Sequence, residues 1–243
     1  MEHFNTSLER ALSSERFKSY RALGNDDDHA WALYRWNLEL AAATGPFLSD
    51  FEVTLRNTIH RELASHLGRE DWWTVSRLRL DLSTQESLAA ITQRHRKKLS
   101  KGSVGPGRVI ADLTFGTWVQ LLSKGGATSI GQEVDYETRL WRPALRNGFD
   151  TGKTNSKGYP KRPTRKEVHR RAENVQQLRN AVAHHRRISE GIRRFRSGEN
   201  EPRVPLLTVL NEATEMLGWM CPELEQLHRS SNTIHQLLDK QPP

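Results

Sequence analysis

The chain has 243 residues, 35% of them hydrophobic, and a formal net charge of +8 at pH 7. This length suits one large domain, and the basic balance favours an anionic partner. A lone cysteine, Cys221, excludes a disulfide framework or a cysteine-rich zinc site within the chain and fits a reducing cytoplasm. Membrane classes are excluded as well. The longest nearly apolar stretches, such as residues 38–43, are far too short to span a bilayer. The opening MEHFNTSLER has no apolar run of signal-peptide type.

Residues 6–23 carry Leu8, Ala11, Leu12 and Tyr20 at helical spacing, and Gly24-Asn25 ends them. Asp26-Asp27-Asp28 caps and charges the next N-terminus, and residues 30–43 read as helix with Trp31, Tyr34, Leu38, Ala41 and Ala42 on one face. Thr44-Gly45-Pro46 predicts a break. Residues 47–67 form an amphipathic helix with Phe51, Leu55, Ile59 and Leu63 every four residues, and Glu52, Arg56 and His60 in a parallel polar stripe. Glu52 and Arg56 are i,i+4 partners, suited either to a weak surface bridge or to a site-facing pair. Asn57 completes a Leu-Arg-Asn triplet that recurs at residues 145–147 and 178–180, a match too short to define a repeat.

Gly68 closes that helix, and Trp72-Trp73 packs the following turn. A capping-box spacing from Ser83 to Glu86 opens a helix to Lys98, whose cationic end suits a helix C-terminus. The glycine-rich residues 102–107 lack the order of a phosphate loop. Residues 109–122 read as one or two short helices, and 133–146 as a further helix made irregular by Pro143. Residues 151–163 read as a mobile basic loop. Thr164 and Glu167 form a capping box for a long helix that buries Val168, Ala172, Val175 and Val182. Residues 188–203 form a second basic, flexible connection, and 206–220 and 222–238 two closing helices. No strand alternation is evident, so the expected class is all-α, in one domain with the helix at 47–67 packed against that at 164–188.

The densest chemistry lies in Leu178-Arg179-Asn180-Ala181-Val182-Ala183-His184-His185. On a helix Asn180 and His184 share a face, flanked by Arg179 and His185. Arginine offers a fixed fork of donors to phosphate, and histidine exchanges protons near neutrality. The surroundings are basic: residues 153–196 hold 14 Lys and Arg against three acids. Lys161, Arg162, Arg165, Arg186 and Arg187 are therefore candidate nucleic-acid contacts. Plainer readings compete: a solvated basic face, and an Asn/His pair that packs or caps. A metal at His184 and His185 is not expected, because neighbouring helical side chains diverge by roughly 100° and no third ligand has suitable spacing.

This string resembles the HEPN ribonuclease signature, in which Arg precedes a polar residue and then a His. More narrowly, the chain resembles the Abi-like (abortive infection) proteins. Phe51-Glu52-Val53-Thr54-Leu55-Arg56-Asn57 is similar to that family's early element, Leu113-Thr114-Phe115-Gly116-Thr117-Trp118 to its middle element, and residues 178–185 to its late one. The matched part covers about residues 28–190. The resemblance implies a HEPN-like helical bundle with additional helices, paired as a homodimer. It also implies a metal-independent endoribonuclease, without cofactor, acting on RNA in phage defence or as a toxin, with an antitoxin protein or regulatory RNA as a further partner.

On that reading the substrate's 2′-OH attacks the adjacent phosphodiester. His184 transfers protons, Arg179 holds the non-bridging oxygens, and Asn180 orients His184 or the scissile group. His185, Glu52, Arg56, Asn57 and His60 support the site. A two-fold dimer would bring two Arg/His sets together. The rival expectations are an RNA-binding protein that does not cut, and a partner subunit of a toxin–antitoxin-like system.

Overall fold

The computed structural model describes residues 2–194, 202–231 and 233–242. The fold is all-α, with one two-stranded hairpin among the described residues. Helices α1 (Glu2–Leu12) and α2 (Ser14–Arg21) replace the single helix expected over residues 6–23. They part at Ser13, which takes a left-handed φ of 70° and accepts a hydrogen bond from the Arg16 N–H.

Helix α3 (Asp27–Leu67) runs for 41 residues, capped by the Asp26 carboxylate and closed by Gly68 at φ 71°. The break expected at Thr44-Gly45-Pro46 does not occur. Leu33, Asn37, Leu40, Thr44, Leu48, Phe51, Leu55, Ile59 and Leu63 are all buried, so the inward stripe stays in phase across the proline. The carbonyl that Pro46 leaves unbonded belongs to Ala42, an exposed residue on the outer side of the helix. The Thr44 hydroxyl donates to the Ala41 carbonyl at 2.8 Å inside the same stripe.

Helix α4 (Leu82–Ser100) is capped by Asp81, which accepts from the Thr84 N–H at 2.8 Å; the cap expected at Ser83 lies inside the helix. Helices α5 (Pro106–Asp112) and α6 (Phe115–Leu121) follow as expected. The helix expected over 133–146 is not formed. Its start is β2 (Glu133–Asp135), antiparallel to β1 (Gly125–Ala127), with Gly125 at φ 92° approaching Val134 too closely for any Cβ. A wide helical turn at Glu137–Trp141 and a tight one at Leu145–Gly148 complete the segment around Pro143. The Tyr136 hydroxyl accepts from the Asp81 N–H at 2.9 Å, fixing the hairpin to the start of α4.

Helix α7 (Arg165–Ala183) starts at the Thr164 cap, whose hydroxyl accepts from the Glu167 N–H. It packs chiefly on α8 (Leu206–Met220) and α6, and also touches α3. Two arginines fasten it to α8. Arg170 forms a fork with Glu212 at 2.7 and 3.0 Å, and buried Arg171 donates to Glu215 and the Glu212 carbonyl while lying 4.3 Å over Trp219. Helices α9 (Pro222–Ser230) and α10 (Thr233–Asp239) replace the one helix expected over residues 222–238, and α10 returns to α3, where the Trp36 indole donates to the Leu237 carbonyl. Residues 195–201 of the second basic connection lie outside the described residues. Its ends meet as an antiparallel bridge between Ile192 and Val204. No helix among the described residues is long and apolar enough to cross a membrane.

Pro46→Ala restores one helical hydrogen bond on the exposed side of α3, and should raise stability by roughly 1–3 kcal/mol in urea unfolding. A second expectation concerns pH. Burial, with Arg165 nearby, pushes the His169 imidazole on α7 down to about 4. Its ring is therefore neutral at pH 7, and the 3.6 Å approach to Glu173 is not an ion pair there. The folded state resists protonation, so His169 contributes stability that is full above about pH 6.5 and lost as pH falls toward 4. The loss amounts to about 3 kcal/mol at most. His169→Gln should flatten this part of the profile of melting temperature against pH.

Candidate functional site

The C-terminus of α7 carries the Arg/His string, and its backbone departs from the helix expected over residues 164–188. Ala183 is the last helical residue and His184 is the cap. His185 turns left-handed at φ 52°. The His185 N–H then donates to the Val182 carbonyl, and the Arg186 N–H to the Ala181 carbonyl at 2.7 Å. This pair of bonds is a Schellman ending, usually built on glycine. The His184 N–H still donates to the Asn180 carbonyl, so the i,i+4 relation between those residues survives in the backbone. Asn180 is half-buried; His184 and His185 are exposed, and no described residue hydrogen-bonds either ring.

Asn37 of α3 holds this turn from beneath. Its side-chain oxygen accepts from the Ile188 N–H at 2.8 Å and the Ser189 N–H at 3.4 Å, while its amide nitrogen faces the Arg186 carbonyl at 3.4 Å. At 2% exposure it is a buried amide in a stripe that is mostly apolar. A polar residue interrupting the 34–37–40 spacing is the trace that this support leaves in the sequence. From above, Arg16 of α2 donates to the His185 carbonyl at 2.9 Å, and Arg187 donates to the Ser19 carbonyl and lies over the Tyr20 ring.

The three sequence elements of the resemblance meet at α7. The early and late elements approach through Glu52 and Arg179, 3.9 Å apart, the arginine side chain being 48% exposed. The early and middle elements touch through Phe51 and Phe115, edge to face at 6.3 Å. The middle element reaches α7 at Gly116, where an added Cβ would lie 2.9 Å from the Gln176 amide. Glu52 thus pairs with Arg179 rather than with Arg56, its expected i,i+4 partner. Arg56 instead contacts neighbouring Asn57 at 3.4 Å. His60 serves the fold: the Trp72 indole donates to Nδ1 at 3.0 Å, which leaves Nε2 to donate to Glu70 at 2.7 Å.

The basic run divides in the same way. Arg165 bridges Glu137 and the Leu122 carbonyl, and Arg162 bridges Asp150 and the Phe149 carbonyl. Lys161 and Arg186 are exposed, whereas Arg187 pairs with Glu190 and is mostly covered. Five residues apart on a helix, Arg179 and His184 lie about 140° from one another around its axis. Arg179 accordingly faces α3, while His184, with Gln177 and Ala181, lines a cleft of about 620 Å³ walled by α2 and the 185–193 turn. Among the described residues, no group of three or more His, Cys, Asp or Glu is placed to hold a metal ion.

No protein-family model, curated protein or solved structure matches the chain.

Removing the Asn37 amide leaves the Ile188 N–H buried without a partner. Asn37→Ala should therefore lower stability by about 1–3 kcal/mol. It should also speed amide hydrogen exchange at Ile188 and Ser189 more than in α8.

Proposed function

We propose that the protein is a metal-independent endoribonuclease of the HEPN type, in which Arg179 and His184 act on a phosphodiester attacked by its own 2′-OH. The observation that carries the reading is the state of these two side chains. Both sit on the last turn of α7 and its cap, both reach solvent, and neither is tied into the core. The contact to Glu52 is long enough for a phosphate oxygen to displace it: at 3.9 Å it orients the guanidinium without a tight hydrogen bond. The imidazole stands at the rim of a basic cleft, where it can meet a 2′-hydroxyl or a leaving oxygen. The divergence of Arg179 and His184 within one chain favours a two-fold assembly, in which the arginine of one copy works beside the histidine of the other. RNA as substrate, the dimer, an antitoxin or regulatory RNA, and a cytoplasmic role in phage defence belong to this proposal.

The same basic cleft also favours a second reading, an RNA-binding protein that does not cut. Cleavage of a labelled RNA in the presence of EDTA decides between them. His184→Ala should lose about 10²–10⁴-fold in rate. Arg179→Ala should lose about 10²-fold or more. Glu52→Gln should lose less than either. Cleavage by the wild-type protein that stops with EDTA, or that His184→Ala leaves intact, rejects the catalytic reading. RNA binding without any cleavage favours the second.

A further inference from the structure

The cleft beside His184 carries more positive charge than the fold itself uses. Five arginines line it, Arg16, Arg186, Arg187, Arg193 and Arg203, against one carboxylate, Glu15. Arg187 is occupied by Ser19 and Glu190, and Arg16 by the His185 carbonyl. Arg203 donates to the Gly191 carbonyl at 3.1 Å and stays 3.8 Å from Glu190. Arg186 and Arg193 are exposed, and no ion pair to either is present among the described residues. Like charges gathered in one concavity repel each other and concentrate anions. A second observation is independent of charge. Of the three non-glycine residues with left-handed φ among the described residues, Ser13 and His185 both line this cleft. Backbone strain of this kind collects at ligand sites.

We propose that the cleft binds a phosphate monoester, carried either by a free nucleotide or by the end of an RNA strand. Arg186 and Arg193, with Arg203 behind them, present guanidinium forks to the terminal oxygens. A monoester near neutral pH carries a charge of about −1.5 to −2 and three terminal acceptor oxygens. A carboxylate or an internal diester offers a single charge and two free oxygens, a poorer match to this many cations. The volume of about 620 Å³ suits a nucleotide-sized ligand. The exposed rings of His184 and His185 give a base a surface on which to stack. Arg179 does not line the cleft, so the site is separate from the Glu52 contact; it shares His184 with the ribonuclease reading but requires no cleavage.

Binding to the full chain is measured by calorimetry with four probes: AMP, adenosine, and a 2′-O-methylated oligonucleotide with and without terminal phosphates. At least one phosphorylated probe should bind about tenfold or more tightly than its unphosphorylated counterpart. Preference for AMP identifies a nucleotide as the source, and preference for the oligonucleotide identifies a strand end. The double variant Arg186→Gln/Arg193→Gln should erase the difference. Equal binding of phosphorylated and unphosphorylated probes to the wild-type protein overturns the proposal whether or not the variant folds. So does a difference that survives in the double variant, or inorganic sulfate that competes as well as AMP, the mark of an adventitious ion only. Phosphate-selective binding by a protein that cuts no RNA leaves this site standing and removes the ribonuclease reading alone.

Discussion

The unbroken buried stripe of α3 is the constraint on which the candidate site depends. Asn37 and Glu52 lie on this one helix, separated by about 22 Å of axial rise at ordinary helical pitch. The first holds the turn after His184, and the second faces Arg179. A break at Pro46 would have let these two supports move independently. Burial of Thr44, Phe47 and Leu48 keeps the helix whole, because apolar area removed from water outweighs the hydrogen bond that proline cannot make. Both ends of α7's last turn are thereby referenced to a single rigid body.

The ending of α7 places backbone strain at the candidate site. A Schellman turn normally places glycine in the left-handed position; here it is His185. The strain is opposed from two sides, by buried Asn37 and by Arg16 of α2. The helical N-terminal segment contributes its wall to the cleft because Ser13 splits it, turning α2 back over the turn. Local geometry that is unfavourable in isolation is held by contacts from two distant parts of the chain.

The basic segment is less uniform than its composition suggests. Arg162, Arg165, Arg170 and Arg171 are used inside the fold, pairing with Asp150, Glu137, Glu212 and Glu215 from other elements. What is left outward falls in two groups: Lys153, Lys157, Lys161 and Lys166 in the loop before α7 and in its first turn, and Arg179, Arg186 and Arg193 at and after its C-terminus, where the negative end of the helix dipole also favours cations. A charge count along a sequence measures potential partners, and only packing decides which of them are carboxylates of the same chain.

Much of this protein was legible from residue patterns. Apolar periodicity placed α3 after Pro46, α5, α6, α7 and α8, and the Thr164 cap marked the start of α7 correctly. Those features are local, governed by helical spacing and by hydrogen bonds within one turn. Tertiary structure decided the rest. It carried α3 through Pro46 and turned residues 133–135 into a strand against Gly125-Gly126. It ended α7 one residue before His184 and paired Glu52 with Arg179 instead of Arg56. Each outcome turns on a partner outside the segment's own helical turns, from the neighbouring strand of a hairpin to helices far away in sequence, and the free energy of such a contact exceeds the few tenths of a kcal/mol that separate local conformations.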